Sequence, residues 1–254
     1  MNSGVSYGIL LAGGLGTRMG KCTLVTNKHL MPIYDRPMID YSLRTLKQLG
    51  VTKVLIVTGD KSASDIMKYV KDGSIHGFES VYYVTQIGNG GIADAIRLGR
   101  NFTNDDPFCV MLGDNIISTD FTLVDPNKMS DFIKDGKSGL VCFKKIDDNS
   151  RFGVPTFDKS GKLLYITEKP HNPESNYAQI GMYFYHSNVY DFIEQLSVSQ
   201  RGELEVTDLN NLYLMNELLK YCEIDESVFW SDAGNNETLL RCGNYVAGHG
   251  ERFE

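Results

Sequence analysis

Apolar positions fall in short blocks separated by amphipathic stretches, and this alternation runs through the first half of the chain. Residues 7–12 (YGILLA) are a brief apolar run that stops at a glycine pair, the pattern of a buried strand. Residues 38–49 set Met38, Tyr41, Leu43, Leu46 and Leu49 at near-helical spacing. Residues 53–58 (KVLIVT) predict a second buried strand, 64–71 a helix and 79–85 (ESVYYVT) a third strand. Residues 92–101 predict a helix with Ile92, Ala95, Ile96 and Leu98 on its apolar side. Residues 108–112 (FCVML) predict a strand ending at Gly113-Asp114.

The order β-α-β-α-β-α-β predicts an α/β chain with a mostly parallel sheet flanked by helices on both faces. Ligands in such sheets bind beyond the carboxyl ends of the strands. The loops at 13–18, 86–91 and 113–115 all follow strands, so they are expected on one edge.

The second half is less regular. It predicts strands at 139–143, 154–157, 163–167 and 180–185, and helices at 188–196, 208–219 and 237–247. Thr207 is the expected N-cap of the middle helix, with Asp208 in its first turn. The reading is one domain over 1–254, with halves of about 1–120 and 121–254 and strand-rich material inserted in the second.

Composition changes this picture only by exclusion. Apolar residues make up 42% of the 254, enough to bury a core unaided. A formal charge of −7 argues against a nucleic-acid surface. The five cysteines form no C-x-x-C pair and suit reduced thiols in a cytoplasm. No apolar stretch is long enough to span a membrane. The N-terminal apolar run lacks a basic flank, so it reads as a strand and not a signal peptide.

The string Leu11-Ala12-Gly13-Gly14-Leu15-Gly16-Thr17-Arg18 carries the first chemistry. Clustered glycines let backbone N–H groups approach phosphate oxygens, and an arginine adds a fixed cationic fork. A phosphate-binding loop of the G-x-x-x-x-G-K-[ST] type is absent, and the third glycine of the dinucleotide fingerprint is replaced by Met19.

That string, then Lys28 ten residues after the arginine, then His29-Leu30-Met31-Pro32-Ile33, resembles the signature of sugar-nucleotide pyrophosphorylases, most of all the thymidylyltransferase branch. The resemblance runs from about residue 7 to 243 and implies a Rossmann-like nucleotidyltransferase fold with a nucleotide half and a sugar half. It implies that Leu11, Gly13, Gly14, Gly16 and Thr17 wrap a nucleoside triphosphate whose phosphates Arg18 and Lys28 hold. Gln86 and Gly91, in QIGNGGIADA, match the residues that read the pyrimidine, an amide being able to donate to and accept from an imide edge.

Further segments extend the match. Asp114, in LGDN, and Asp232, in FWSDAG, correspond to Mg²⁺ ligands; Asn115 and Trp230 fall at the sugar. Glu168 and Lys169, in EKP, correspond to groups on the sugar hydroxyls and the sugar phosphate. Phe152, Gly153, Gln179, Tyr183 and Arg201 (in RGELE) complete the implied sugar site. None of the histidines shows an evident partner, which suits a reaction whose phosphate nucleophile is already anionic.

The resemblance thus implies thymidylyl transfer from dTTP to glucose 1-phosphate with Mg²⁺, in a cytoplasmic homodimer or homotetramer with no nucleic-acid or membrane partner. UTP, another hexose 1-phosphate, or a non-catalytic sugar-nucleotide-binding role are the alternatives. Departures gather on the sugar side: Phe152 replaces a common tyrosine, Gln179 an apolar residue, and Asn235 a threonine. Met19-Gly20-Lys21 follows the loop arginine where many relatives carry proline. The chain ends at Glu254, before the segment that helps build a regulatory site in longer relatives, so such feedback is not expected.

Overall fold

The computed structural model describes residues 4–60, 63–119 and 122–250. Strands β1 (Tyr7–Ala12), β4 (Lys53–Gly59), β5 (Ser80–Gln86) and β6 (Phe108–Leu112) come from the first half. Two short strands, β2 (Pro32–Ile33) and β3 (Arg36–Pro37), precede helix α1 (Met38–Gln48). Helices α2 (Ala63–Val70), α3 (Ile92–Arg97) and α4 (Arg100–Thr103) fill the connections, and β7 (Asn115–Ile117) follows β6. The second half contributes α5 (Pro126–Asp135), β8 (Gly139–Lys145), β9 (Gly153–Phe157), β10 (Leu163–Glu168) and β11 (Tyr177–Tyr185). It closes with α6 (Val189–Ile193), α7 (Val206–Met215), β12 (Leu219–Glu223), β13 (Trp230–Asp232) and α8 (Asn236–Gly248).

Seven strands form one sheet in the order β12-β8-β11-β6-β1-β4-β5, so both halves share it. Pairing is parallel except around β11, which runs antiparallel to β6 and β8. Alternation along each strand sends residues to opposite faces. Leu10, Ile56, Met111 and Phe184 pack with α1, α2 and α5; Ile9, Val57, Val110 and Tyr183 pack with α3, α6 and α7. The expected mixed, mostly parallel sheet with helices on both sides is therefore what forms.

Three expected elements differ. The helix over 92–101 breaks into α3 and α4 at Gly99, where a Cβ would sit 2.3 Å from Ile9 Cδ1, so a larger residue would make that side chain move. The helix expected through Leu219 ends at Met215, and after a turn with Glu217 at φ 59° the chain pairs with β8 as edge strand β12. Its leucine spacing suits either element, a known ambiguity of short apolar runs. Thr207 is not the cap of α7: Glu205 holds that position, and the Thr207 hydroxyl donates instead to Glu168. The helix over 188–196 is also shorter, Val189–Ile193.

Two small pairs lie off the main sheet and matter for the site. The antiparallel β9–β10 pair sets Gly153 opposite Glu168. The antiparallel β7–β13 pair sets Asn115 opposite Asp232. Neither β7 nor β13 was legible as a strand, being three residues each.

Candidate active site

The loops after β1, β5 and β6 gather at one edge of the sheet, as their parallel order requires. Asp114 is central. It follows β6, and its backbone oxygen accepts from Ala233 N at 2.7 Å, which clamps the β13 end beside it. Lys28 Nζ reaches Asp114 Oδ2 at 2.6 Å, and both side chains are largely buried. Burial, the largest single influence, would raise the Asp114 carboxyl, but Lys28, His29 and the hydrogen bonds from Lys28 and Asn115 together hold it well below the ordinary range. Gly14 faces this pair: a Cβ there would lie 3.4 Å from Lys28 Nζ. Gly16 sits in the left-handed region at φ 64°, where a side chain would meet Thr23 and Lys28.

Asp232 comes from the other side. Burial and then the charge of Asp114 push its carboxyl above the ordinary range, against the pull of Arg151, Arg18 and Lys28. Arg151 Nη2 is 3.3 Å from Asp232 Oδ1. Gly234 keeps space between Asp232 and Arg18: a Cβ would lie 2.6 Å from Asp232 Oδ2 and 2.8 Å from Arg18 Nη2. The structure thus gathers Arg18, Lys28, Asp114 and Asp232, which the chain holds far apart.

Asn115 makes three of its four possible side-chain hydrogen bonds. Its Oδ1 accepts from Trp230 Nε1 at 2.7 Å and from Gly181 N at 2.9 Å, while its Nδ2 donates to Asp114 Oδ1 at 3.0 Å. Gly181 can offer its N–H because β11 shifts register between Gln179 and Tyr183. The side chains of Asn115 and Trp230 therefore hold Asp114 in place. Sequence reasoning put both at the sugar; the chain spacing carried no sign of this relay.

Gln86 is likewise fixed. Its Nε2 donates to Gly91 O at 3.0 Å and Asp94 Oδ2 at 2.8 Å, leaving Oε1 as its unspent acceptor toward the Gly13 backbone. Gly91 has φ 90° and caps α3; a Cβ there would lie 2.6 Å from Leu204 O. The loop is tied to the 201–205 string by Leu204 N to Gly90 O and Ala93 N to Leu204 O.

The remaining predicted residues form a second cluster. Glu168 pairs with Lys169 Nζ at 2.7 Å and Arg201 Nη1 at 3.3 Å, and accepts from Thr207. Lys169 has φ 44°, an uncommon conformation for lysine, held by its N–H to Phe152 O. Phe152 packs on Trp230 at 5.1 Å between centroids. Tyr183 is buried on β11, close enough to Glu168 and Asp114 for both charges to raise its phenol further than burial already does. Gln179 is buried over Gly153. A cleft of about 920 Å³ opens from Asp232 and Arg151 toward α8; its lining includes neither Asp114 nor the glycine loop.

Four histidines, His29, His76, His186 and His249, have partners that the sequence did not suggest. His29 Nδ1–H donates to Asn27 Oδ1 at 2.9 Å, and burial followed by the Lys28 charge pushes its pKa down to about 3. His76 Nδ1 lies 3.2 Å from Asp40 Oδ1, remote from the site.

Residues 7–247 match the family model described as nucleotidyl transferase. The chain belongs to the nucleotidyl transferase family. It is an enzyme of nucleotidyl transfer, as the gathered cations and carboxylates suit. It is 37% identical to the glucose-1-phosphate thymidylyltransferase of Xanthomonas campestris pv. campestris, over 94% of this chain and 80% of that one. It is 35% identical to the Neisseria meningitidis protein of the same name, covering 94% and 82%. A Bacillus anthracis structure described as a glucose-1-phosphate thymidylyltransferase, in complex with sucrose, superposes with a TM-score of 0.85 at 39% identity over 94% of each chain. A UDP-glucose pyrophosphorylase complexed with UDP-glucose shares the fold at TM-score 0.81 and 23% identity, over 96% and 99%. No helix among the described residues is long and apolar enough to cross a membrane.

Proposed function

We propose that this nucleotidyl transferase moves a thymidylyl group from dTTP to α-D-glucose 1-phosphate, giving dTDP-glucose and pyrophosphate. The observation that carries the reading is the pairing of two charged clusters: Lys28, Arg18, Asp114 and Asp232 beneath the glycine loop, and Glu168, Lys169 and Arg201 beside them. The names of the Xanthomonas and Neisseria relatives supply the substrates.

The metal can be tested on the residues themselves. Asp114 and Asp232 are buried close enough for one charge to raise the other carboxyl, a repulsion that a divalent cation between them would relieve. Among the described residues no third His, Cys, Asp or Glu joins them in a cage. Magnesium suits such a site, since it takes one or two carboxylates and fills its shell with phosphate oxygens and water. When bound, Mg²⁺ would offset the negative charge that builds on the triphosphate as pyrophosphate leaves.

The protein's own groups do the rest. Backbone N–H groups of Gly13, Gly14, Gly16 and Thr17, with Leu11 beneath them, cradle the triphosphate, and Arg18 and Lys28 neutralise it. Gln86 Oε1 accepts from the imide N–H of the base beside Gly91. Lys169 and Arg201 hold the sugar phosphate, and Glu168 takes sugar hydroxyls within a pocket of Phe152, Gly153, Gln179 and Tyr183. The sugar phosphate oxygen attacks the α-phosphorus, forming a P–O bond as the bond to pyrophosphate breaks. No side chain need remove a proton, because that phosphate is dianionic above about pH 6. His29, its pKa pushed down to about 3, would be a weak base in any case. The proposed setting is a cytoplasm that keeps the buried thiols reduced, with the chain as a homodimer or homotetramer.

The step is tested with dTTP made chiral at its α-phosphorus by a sulfur substituent. Inversion at that phosphorus is expected for direct in-line attack. Retention would require a covalent nucleotidyl-enzyme and would remove the mechanism.

A further inference from the structure

Among the described residues, two buried side-chain nitrogens at this site have no hydrogen-bond partner: Arg151 Nη1 and Gln179 Nε2. Arg151 spends its other terminal nitrogen on Asp232. The Gln179 amide nitrogen has no such employment, and the residue is only 5% exposed. Native proteins seldom leave a buried donor unpaired without a reason such as an ordered water, an ion or a bound ligand.

Its position narrows that reason. Gln179 sits opposite Phe143 on β11, just before the register shift, on the sheet face that carries Val141, Phe143 and Tyr183. Its Oε1 lies 2.8 Å from where a Gly153 Cβ would be, and Thr207 Oγ1 lies 3.3 Å from the same point. Thr207 gives its proton to Glu168. The amide therefore stands inside the cluster of Gly153, Thr207 and Glu168. Ile166 Cγ2, 3.2 Å from that Gly153 point, and Phe143 also adjoin it, and no protein group accepts from the amide nitrogen. An apolar residue would pack against them without stranding a donor.

We propose that Gln179 determines sugar specificity: its amide N–H donates to an oxygen-bearing ring substituent of the hexose 1-phosphate, next to the hydroxyls taken by Glu168. This rests on the reading of the chain as a hexose-1-phosphate nucleotidylyltransferase. A hexose lacking that oxygen leaves the donor buried and unpaired again, so the site rejects it. A site with an apolar residue at 179 is blind to the difference.

The test compares kcat/KM for the parent and Gln179→Leu, with dTTP, on glucose 1-phosphate and each of its monodeoxy analogues. In the parent, one analogue in particular is expected to lose about 10- to 100-fold through Gln179. In Gln179→Leu that penalty vanishes, while penalties at the other ring positions persist. The melting temperature of Gln179→Leu is expected to be no lower than the parent's, because no protein partner of the amide nitrogen is lost. If Gln179→Leu fails to fold, Gln179→Met carries the same comparison with an unbranched chain. An unchanged analogue profile overturns the proposal, as does a uniform loss on every sugar with a lowered melting temperature. A parent enzyme that rejects glucose 1-phosphate and accepts another hexose 1-phosphate overturns only the glucose assignment. The same comparison on monodeoxy analogues of the accepted sugar then decides the role of Gln179.

Discussion

The two clusters of the site are built differently. Around Asp114 every side-chain partner is spoken for: Lys28 on one oxygen, Asn115 on the other, and Trp230 and Gly181 on Asn115 in turn. Around Glu168 the cations are about half exposed, with Lys169 at 43% and Arg201 at 45%, and Arg201 is divided among Glu168, Glu203 and Glu205. In the first cluster Lys28, Asp114 and Asp232 are largely buried while Arg18 stands exposed on the loop, as suits a site that holds phosphate at every turnover. The second is adjustable, and it holds Gln179, whose buried amide nitrogen has no partner among the described residues. Substitution in the first should therefore cost turnover and stability together, and in the second substrate recognition with little stability.

The largest expected effect is at the fixed cluster. Asp114→Asn should cut kcat by about 10²- to 10³-fold, the scale seen when one preorganised charge-stabilising group is removed. It should also lower the melting temperature while keeping the fold, because Lys28 is left buried without its anion. Steady-state kinetics and calorimetry read both; full activity would end the metal-site role of Asp114.

Lys169→Ala should raise KM for the sugar phosphate about tenfold or more through loss of a charge-assisted contact. Its melting temperature should not move, given the exposure of the side chain. Equal losses for nucleotide and sugar phosphate would erase the contrast between clusters.

Trp230→Phe keeps an aromatic ring against Phe152 but removes the indole N–H to Asn115 together with part of a buried ring system. A cost of about 2–3 kcal/mol in stability and a several-fold loss of kcat, with KM for the sugar unchanged, is expected. A selective rise in that KM would move Trp230 from positioning Asp114 to touching the sugar.

The smallest effect is on pH. His29 has its folded pKa pushed down to about 3, so below pH 6.5 the unfolded chain binds a proton that the folded chain refuses. Its contribution is fully present above 6.5 and is lost as pH falls toward about 3. His29→Gln should flatten the acid limb of the stability curve by roughly 1–2 kcal/mol at pH 5. Denaturant melts at pH 7 and pH 5 measure it; parallel limbs would show that His29 ionises freely.

What the sequence revealed follows the same division. The parallel core of the sheet could be read from residues 7–12, 53–58 and 108–112 because buried strands are continuous apolar runs. Arg18, Lys28 and Asp114 could be picked out because the glycine loop and LGDN are compact strings next to those strands. The Asn115–Trp230 relay could not, since it joins two three-residue strands that pair across the fold. Strand β12 was hidden because its leucines continue the spacing of α7, and the reversal at Glu217 uses a residue with no turn signature. Gln179 was visible only as an odd residue in a match; that its amide nitrogen is buried and unpaired needed the third dimension.

The central claim is thymidylyl transfer to a hexose 1-phosphate. It is tested most directly by initial rates of pyrophosphate release from the purified protein with Mg²⁺ and glucose 1-phosphate, comparing dTTP, UTP, CTP and ATP. Strong release with dTTP and weaker release with UTP is the predicted result. No release with any of the four, repeated across other hexose 1-phosphates, would contradict it.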